Sequence, residues 1–384
     1  MTGSDRPDRP RIAVVGAGWW SANHHVPSLA QHDGAELVAI CDPDRGRAEQ
    51  LASEHGVPHV TTDLDSLLAL CPDGVVIATP HVTHHDLASR ALDAGVHVLL
   101  EKPMTTSAQT AADLVVHAER AGVHLAIGYT DQYAPTAARV RRAVQSDIGD
   151  LVQVMAEFSS GTAGLFARAE ADDASRTPGR DGDDPADQHA GTYAADQGGG
   201  QAHTQLTHLM GMVCWVTGRE VAEVAAFTDH RGLDVDVDDA AALRFTGGGT
   251  GVVTSTGMAG AANGERHRVR FLGTCGTVDL DMATGIAEVR HGDGTVATLT
   301  PPPHEPDDRT WAPARQFAEL VAGRADNPAP PRPAAAAAAC IEALLESART
   351  RTFVRVTPLP ATDAAPADAP ATDAPPQHPT GGDL

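Results

Sequence analysis

Residues 11–21 read Arg-Ile-Ala-Val-Val-Gly-Ala-Gly-Trp-Trp-Ser, an apolar run that ends in a glycine turn and passes into a helical pattern. Gly16 and Gly18 match the first two glycines of a GxGxxG fingerprint, and Ser21 stands in the third position. Glycines at these positions permit a tight turn and let the backbone approach a pyrophosphate at the start of the helix. The stretch therefore predicts a strand, a turn and a helix suited to a dinucleotide.

The same pattern repeats along the first third of the chain. Short apolar runs alternate with segments whose apolar residues recur at helical spacing. Strands that alternate with helices form a parallel sheet covered on both faces, and right-handed crossovers make it a doubly wound α/β fold. We expect this domain at residues 11–130. Its further strands are predicted at 37–41, 74–78, 97–100 and 124–127, and its helices at 45–55, 84–94 and 107–121.

Asp42 follows the second predicted strand, at roughly the 20-residue offset expected for a carboxylate that binds the ribose of a dinucleotide. Such a carboxylate accepts a hydrogen bond from the 2′-hydroxyl of NAD and repels the 2′-phosphate of NADP. Arg45 and Arg47 lie near enough to weaken this preference. NAD is therefore the predicted cofactor and NADP stays possible. The alternative role for Asp42 is to cap the helix ahead of Pro43.

Lys102 is the only lysine among the 28 lysine and arginine residues of the chain. Arginine carries a fixed charge, whereas burial and neighbouring charges can move the pKa of a lysine amine. The apolar run 97–100 and Pro103 place Lys102 at the carboxyl end of a buried strand, where doubly wound folds bind ligands. A lysine retained there indicates chemistry that needs an amine, and chance retention is the alternative.

Residues 78–84 follow another predicted strand at the same edge of the sheet. We expect Thr79 and Pro80 to line the nucleotide. His81 and His84 either touch the cofactor or cap the helix that begins at residue 84.

Three motifs, in this order, resemble the Gfo/Idh/MocA family of oxidoreductases over roughly residues 11–356: Gly16-x-Gly18, Ala78-Thr79-Pro80 and Glu101-Lys102-Pro103. The resemblance implies an N-terminal Rossmann domain and a C-terminal α/β domain with a large open, mostly antiparallel sheet, often used for oligomerisation. It also implies that Lys102 contacts the reacting hydroxyl and the nicotinamide ribose, and that the Lys102–Pro103 bond is commonly cis. The residues expected to bind the cofactor are Gly16, Gly18, Trp19, Trp20, Asp42, Thr79, Pro80, His81, His84, Glu101 and Lys102.

A second candidate site follows the glycines at 198–200, where residues 201–215 read as helical. Family members commonly have Asp four residues and His eight residues after the last glycine, and this chain has Thr204 and His208 there. Thr204 and His208, at i and i+4, are expected to share a helix face. We expect His208 to act as acid or base, and Gln205 or Thr204 to replace the missing carboxylate by hydrogen bonding. The alternative for His208 is a histidine packed against the sheet.

Tyr129, Thr130, Gln132 and Tyr133 follow the predicted strand 124–127, at the crossing between the two domains, where the family tends to bind substrate. Core packing is the alternative for either tyrosine. The residues expected to bind substrate are Tyr129, Gln132, Thr204 and Gln205.

The second half of the chain predicts a substrate and oligomerisation domain at 131–356. Consecutive strands without an intervening helix indicate an antiparallel sheet. An acidic insertion spans 159–197, and residues 168–196 are expected to be solvated and not part of a substrate site. Residues 1–10 and the tail 357–384 are expected to be disordered. The predicted strands are 151–158, 220–229, 239–246, 250–258, 266–272, 276–281, 286–290, 295–299 and 352–356, and the predicted helices are 311–322 and 334–349.

Composition excludes several classes of function. A net charge of −23 repels polyanions and argues against a nucleic-acid partner. The five cysteines are scattered and form no CxxC pair, which argues against a disulfide framework or a cysteine metal site and fits the cytoplasm. We also expect no signal peptide, no membrane span and no metal.

The sequence therefore predicts a cytoplasmic NAD(P)-dependent dehydrogenase or reductase, a dimer or tetramer, acting on a ring hydroxyl or ketone of a sugar or cyclitol. The substrate can be free, phosphorylated or nucleotide-linked. His208 would transfer the proton, and Lys102 would polarise the hydroxyl or relay the proton. One alternative is an NAD-dependent hydrolase or lyase that works through a transient keto-sugar. Another is a cofactor-binding regulator without catalysis, which the departure at Thr204 allows.

Overall fold

Two β-sheets with different strand directions organise the chain, in a computed structural model that describes residues 9–174, 190–260, 264–302 and 308–361. The first sheet has six parallel strands in the order β3-β2-β1-β4-β5-β6. Its strands are β1 Arg11–Val15, β2 Glu36–Cys41, β3 His59–Thr61, β4 Gly74–Ile77, β5 His97–Leu100 and β6 Leu125–Ile127. The predicted doubly wound sheet is confirmed, and β3 is an additional strand at its edge.

The inner strands of the first sheet are mostly apolar because helices cover both faces. Residues 12–15 of β1 are all buried, as is every residue of β4. The helices of this half are α1 Val26–Ala30, α2 Arg45–His55, α3 Leu64–Leu68, α4 His84–Asp93, α5 Ala108–Ala121 and α6 Pro135–Ser146. Since β1 lies between β2 and β4, the strand order reverses at β1, and ligands bind at such a reversal.

The second sheet has nine strands in the order β14-β13-β12-β11-β7-β10-β9-β8-β15. Its neighbouring strands are antiparallel except for β7 and β10, which are parallel, so the prediction of a mostly antiparallel sheet is confirmed. Its strands are β7 Leu151–Ser159, β8 Val221–Asp229, β9 Asp238–Phe245, β10 Thr250–Thr256, β11 Arg266–Gly273, β12 Gly276–Asp281, β13 Ile286–His291, β14 Val296–Leu299 and β15 Val354–Arg355.

One face of the second sheet is buried and the other is open. Along β9, for example, Leu243 and Phe245 are buried while Ala242 and Arg244 are exposed. This alternation is the pattern of an antiparallel sheet with a single covered face. The remaining helices are α7 Ala163–Ala174, α8 Ala190–Tyr193, α9 Thr207–Thr217, α10 Asp308–Val321 and α11 Pro331–Thr350.

The last two helices connect the sheets. Phe317 of α10 belongs to the same buried cluster as Ile12 of β1, so the chain returns to the first sheet after completing most of the second. Helix α11 packs against α5 on one side and against α9 and β8 on the other. The buried alanines at 334–339 allow this close approach.

The expectation that residues 168–196 are solvated is corrected for the described part of that segment. Ala169 of α7 is buried, α7 packs against α8, and Tyr193 of α8 lines a cavity. Residues 1–8, 175–189 and 362–384, which include most of the predicted disordered ends, lie outside the described residues. Within the described ranges, no helix combines the length and the apolar character needed to cross a membrane.

Candidate active site

A cavity of about 1090 Å³ runs along the carboxyl edge of the first sheet and reaches the helical segment that carries His208. Its volume is at the upper end of what ligand pockets usually offer. The fold thus brings together residues that the sequence separates by almost 200 positions. Of the predicted site residues, those that line the cavity are Gly16, Gly18, Trp19, Trp20, Asp42, Thr79, Pro80, His81, Glu101, Lys102, Gln205 and His208.

The glycine turn after β1 has no room for a side chain at its first position. Gly16 has φ +98°, and a Cβ added there would collide with the carbonyl oxygen of Ala78 at the end of β4. Only glycine adopts this conformation without strain. A Cβ on Gly18, in contrast, would meet no atom within 4 Å, because Gly18 faces the open cavity. The backbone here is therefore open to a phosphate-bearing ligand.

Asp42 fixes the glycine turn and also lines the cavity. Its carboxylate accepts hydrogen bonds from the backbone N–H of Ala17 at 2.7 Å and of Asp44 at 2.9 Å. The guanidinium of Arg47 lies 3.7 Å from the same carboxylate. Asp42 does not cap α2, since the N-cap of that helix is Asp44, whose side chain accepts the N–H of Arg47. Asp42 therefore keeps lone pairs available on the cavity side.

The carboxylate of Glu101 is almost buried, with 7% of the residue exposed. Its Oε1 accepts hydrogen bonds from Trp20 Nε1 and from His25 Nε2, both at 2.9 Å. Burial acts to raise the pKa of Glu101, but the hydrogen bond and charge of His25, together with Lys102, hold it below its ordinary value. Glu101 is consequently an ionised group at the cavity wall. His25 is a residue that the sequence analysis missed.

Lys102 reaches across the cavity toward the second half of the chain. Its Nζ donates a hydrogen bond to the backbone carbonyl of Thr204 at 3.0 Å, and the Lys102–Pro103 bond is cis, as the resemblance implied. Burial lowers the pKa of Lys102, and the charge of Glu101 only partly opposes this effect. The amine can therefore give up its proton more readily than a lysine in water.

His208 presents its imidazole to the same cavity. The ring stacks on Phe158 at 6.0 Å between centroids and meets the edge of Tyr129 at 6.0 Å. Burial, followed by the charge of Lys102, lowers the pKa of His208 well below its ordinary value. The imidazole is therefore neutral near pH 7 and able to accept a proton.

The structure corrects the expectation that Thr204 and His208 share the substrate face. Thr204 is 1% exposed and its hydroxyl donates to the carbonyl of Gly200 at 2.6 Å, whereas Gln205 lines the cavity beside His208. The reason is the winding of the backbone. Residues Ala202–Leu206 form a π-helical turn, so the spacing rules of an α-helix do not apply across them.

Three other predicted residues lie behind the cavity wall. Tyr129 is 2% exposed and shares a 2.7 Å hydrogen bond between its hydroxyl and that of Thr207. The Gln132 amide donates to the carbonyl of Gly211 at 3.1 Å. His84 lies 2.9 Å from the carbonyl oxygens of both Thr79 and Pro103. These side chains support the loops that form the site.

The insertion after β7 supplies a wall of the cavity that the sequence analysis did not identify. Leu165 of α7 and Thr192 and Tyr193 of α8 all line it. The ring of Tyr193 meets the ring of Phe166 edge-on at 5.6 Å. A tyrosine within an acidic, apolar-poor segment was the one signal of this contribution, because the chain has only three tyrosines.

Comparison with known proteins finds two family models that match the chain. Residues 10–129 match the family model GFO_IDH_MocA, described as an oxidoreductase family with an NAD-binding Rossmann fold. Residues 175–279 match the model of the GFO/IDH/MocA C-terminal domain.

Curated relatives match through part of their length. D-xylose 1-dehydrogenase (NADP(+)) 2 of Haloferax volcanii is 33% identical over 149 residues, which is 38% of this chain and 46% of the relative. Inositol 2-dehydrogenase 1 of Saccharopolyspora erythraea is 34% identical over 148 residues, 38% of this chain and 44% of the relative. The chain thus spans less than half the length of these relatives.

A solved structure matches nearly the whole fold. The structure of GenD2 from gentamicin A biosynthesis, in complex with NAD, superposes with a TM-score of 0.71 and is 26% identical. The match covers 93% of this chain and 99% of GenD2.

Proposed function

The chain belongs to the GFO/IDH/MocA oxidoreductase family, and on that premise we propose that it is an NAD(P)-dependent dehydrogenase or reductase of sugars or cyclitols. The hydride would pass between the nicotinamide and a ring hydroxyl or ketone. One observation carries the proposal: a single cavity is lined both by the glycine turn with Asp42, here called the nucleotide end, and by Lys102 with His208, here called the reacting end.

The residues at the first end fit a dinucleotide. Gly18 leaves open space at the start of the helical segment that begins at Trp19, where a pyrophosphate is favoured. Asp42 offers a carboxylate to a ribose hydroxyl, and Thr79 and Pro80 line the wall between the two ends. When bound, the nicotinamide supplies the hydride acceptor or donor for the reaction.

The residues at the second end fit proton transfer to or from an alcohol. The neutral imidazole of His208 is a suitable acceptor for a hydroxyl proton, because its pKa is lowered by burial and by Lys102. Lys102 would donate to the same oxygen and stabilise negative charge that develops on it. Gln205, on the wall beside His208, would orient the substrate by hydrogen bonding.

We propose NAD as the preferred cofactor, with NADP as a possible substitute. The Asp42 carboxylate repels a 2′-phosphate, whereas Arg47, 3.7 Å from it, attracts one. Asp42→Asn would shift the preference toward NADP and Arg47→Ala would shift it toward NAD. The ratio of kcat/KM for the two cofactors measures both effects.

We also propose a homodimer or tetramer assembled through the second sheet. Large apolar side chains are exposed there and nearby, including Phe227 at 80% and Val252 at 45%. Patches of this kind commonly mark protein interfaces. Light scattering of the wild type and of Phe227→Asp tests the assembly, which should dissociate in the variant.

We also propose a cytoplasmic location. The cysteines that the structure describes are all free, which fits that compartment.

The experiment that tests the activity is a screen of NAD and NADP with free, phosphorylated and nucleotide-linked sugars and with cyclitols. Reduced cofactor, detected by its absorbance, should form with at least one member of the panel and not with Lys102→Arg protein. Binding of NAD without turnover on any substrate would contradict the proposal and favour a regulator.

An NAD-dependent hydrolase or lyase is the second candidate, and the insertion is the observation that favours it. Thr192 and Tyr193, two residues with hydroxyl groups, line the same cavity as Gln205 and His208. Release of a leaving group without net formation of reduced cofactor would identify this activity.

A further inference from the structure

Glu101 and Lys102 are adjacent in sequence, yet their charged groups are held by different parts of the chain. Oε1 of the Glu101 carboxylate bonds to Trp20 and His25, and Oε2 accepts the backbone N–H of Lys102 at 3.2 Å. The Lys102 amine itself bonds to the carbonyl of Thr204. Among the described residues, no ion pair within 4.0 Å joins the two side chains. The carboxylate is therefore engaged elsewhere, although an ammonium partner is its next neighbour.

A π-helical turn explains how one helix supplies both donors to Glu101. Trp20 and His25 are five residues apart, which would place them roughly 140° from each other on an α-helix. The residues Ser21–His25 instead form a π turn, in which the N–H of Val26 bonds to the carbonyl of Ser21. Hydrogen bonding to the fifth residue brings such positions to the same side.

A second π turn holds the amine. In Ala202–Leu206, the N–H of Thr207 bonds to the carbonyl of Ala202, again five residues back. The carbonyl that accepts the Lys102 amine, that of Thr204, belongs to this turn. Single π turns within helices are frequent at functional sites. The two turns thus hold the neighbouring charges apart, one from each half of the chain.

The Glu101 carboxylate occupies space that a side chain at residue 128 would need. A Cβ on Gly128 would lie 2.7 Å from Oε1, so only glycine leaves the carboxylate in position. His25 is fully buried. Burying its polar imidazole costs free energy, and the hydrogen bond to the Glu101 carboxylate offsets this cost.

We propose that Trp20 and His25 are positioning residues, which hold the Glu101 carboxylate away from Lys102 and so keep the amine available for proton transfer. The inference rests on the proposed function, in which Lys102 serves the reacting hydroxyl. It also connects the amine to the turn that receives the dinucleotide, since Trp20 lies two residues after Gly18.

The physical basis is the difference between a paired and an unpaired amine. A carboxylate in direct contact stabilises an ammonium and raises its pKa, whereas burial without such contact lowers it. The other titratable groups that face this pair are His81, His84 and His208 near Lys102, and Tyr129 and Tyr133 near Glu101. The histidines lose charge on burial and the tyrosines stay protonated, so Glu101 is the anion that can change the amine.

The test uses the fact that Lys102 is the only lysine in the chain. Protein labelled with [13Cε]lysine gives one lysine resonance, and its pH titration reports the pKa of Lys102 directly. His25→Leu and Trp20→Phe each remove one of the two side-chain donors to Oε1, so the carboxylate is held less firmly and can turn toward the amine. Each should raise the pKa of Lys102 by about one unit. His25→Gln keeps an N–H near the position of Nε2 and should restore the wild-type titration.

His32→Leu is the matched control. It removes a histidine–carboxylate hydrogen bond of the same 2.9 Å length, between His32 and Glu319, from a residue just after the same helix and outside the cavity wall. It should leave the Lys102 titration unchanged. If His25→Leu does not fold, Trp20→Phe decides the question.

An unchanged or lowered pKa of Lys102 in the folded variants would overturn the inference. On an active substrate, the alkaline limb of the kcat/KM profile, where Lys102 loses the proton that it donates to the substrate oxygen, should also move to higher pH by the same amount. The resonance needs no turnover, so a wild type that forms no reduced cofactor would defeat the proposed function and still leave the titration able to decide this inference.

Discussion

The nucleotide end and the reacting end of the cavity are formed by different kinds of group, backbone at the first and side chains at the second. At the nucleotide end, backbone geometry defines the site: Gly16 contacts Ala78, and Asp42 binds the N–H of Ala17. At the reacting end, buried titratable side chains define it, and burial lowers the pKa values of both Lys102 and His208. Substitutions at the first end should therefore alter folding and cofactor affinity, and those at the second should alter proton transfer.

The largest effect is expected at the reacting end, for Lys102→Arg. Arginine keeps the positive charge and loses the amine that can give up a proton. We expect kcat to fall about 10²- to 10⁴-fold, the usual contribution of a general acid or base, with NAD affinity nearly unchanged. Steady-state kinetics and calorimetry measure the two quantities.

The control for that change is Arg332→Lys, a charge-conserving exchange at the Arg332–Glu220 ion pair of 3.1 Å, which does not line the cavity. It should retain wild-type kinetics. Near wild-type kcat in Lys102→Arg would show that a titratable amine does not define the reacting end.

At the nucleotide end, Gly16→Ala should lower the free energy of unfolding by about 1–3 kcal/mol, because its φ of +98° strains any other residue. Gly18→Ala, which introduces no collision, should fold with normal stability and lose only NAD affinity. Urea unfolding and NAD titration of both variants separate these effects. Equal stability of the two would show that backbone geometry does not define this end.

A smaller effect on kcat/KM distinguishes Gln205 from Thr204. Either residue was expected to replace the Asp carboxylate that family members commonly have at the position of Thr204. Gln205→Leu should lower kcat/KM about tenfold, the cost of one hydrogen bond to the substrate, because Gln205 lines the cavity. Thr204→Val, whose hydroxyl bonds to the carbonyl of Gly200, should change kcat/KM little. A larger loss of kcat/KM in Thr204→Val than in Gln205→Leu would instead support the expectation from the sequence that Thr204 faces the substrate.

The smallest effect is a dependence of stability on pH. Burial lowers the pKa values of His81 and His208, so the folded protein binds fewer protons than the unfolded chain below about pH 6.5. Stability should therefore fall as the pH falls below that value, by about 1 kcal/mol at pH 5.5 for each histidine that stays neutral.

Urea unfolding at pH 7.5 and pH 5.5 measures this loss. His208→Gln removes one of the histidines and should reduce the loss, whereas His59→Gln, at an exposed histidine, should not. An equal loss in both variants would mean that the His208 imidazole is not held neutral.

Sequence alone predicted the backbone around the glycine turn because backbone requirements leave few choices of residue there. A positive φ requires glycine at Gly16, and the apolar runs of β1 and β5 were predicted with the bounds observed. The order of strands along the chain also predicted both sheets. The edge strand β3 was missed because three half-exposed residues carry no periodic signal.

The reacting end was predicted only in part, because its geometry depends on helix winding. The spacing of Thr204 and His208 assumed 3.6 residues per turn, and the π turn places Gln205 at the cavity in their stead. His25 was not identified for the same reason. Residues five apart, such as Trp20 and His25, lie on different sides of an α-helix, so their spacing did not indicate a shared partner. Tyr193 lay in a segment whose composition indicated solvent.

The central claim is that one cavity holds the dinucleotide beside the amine of Lys102. Titration of NAD into protein labelled with [13Cε]lysine tests it directly, because the lone lysine resonance is an internal reporter of that amine. We predict that the resonance shifts and saturates at the NAD concentration that saturates binding in calorimetry. A lysine resonance that stays in place while NAD binds would contradict the account.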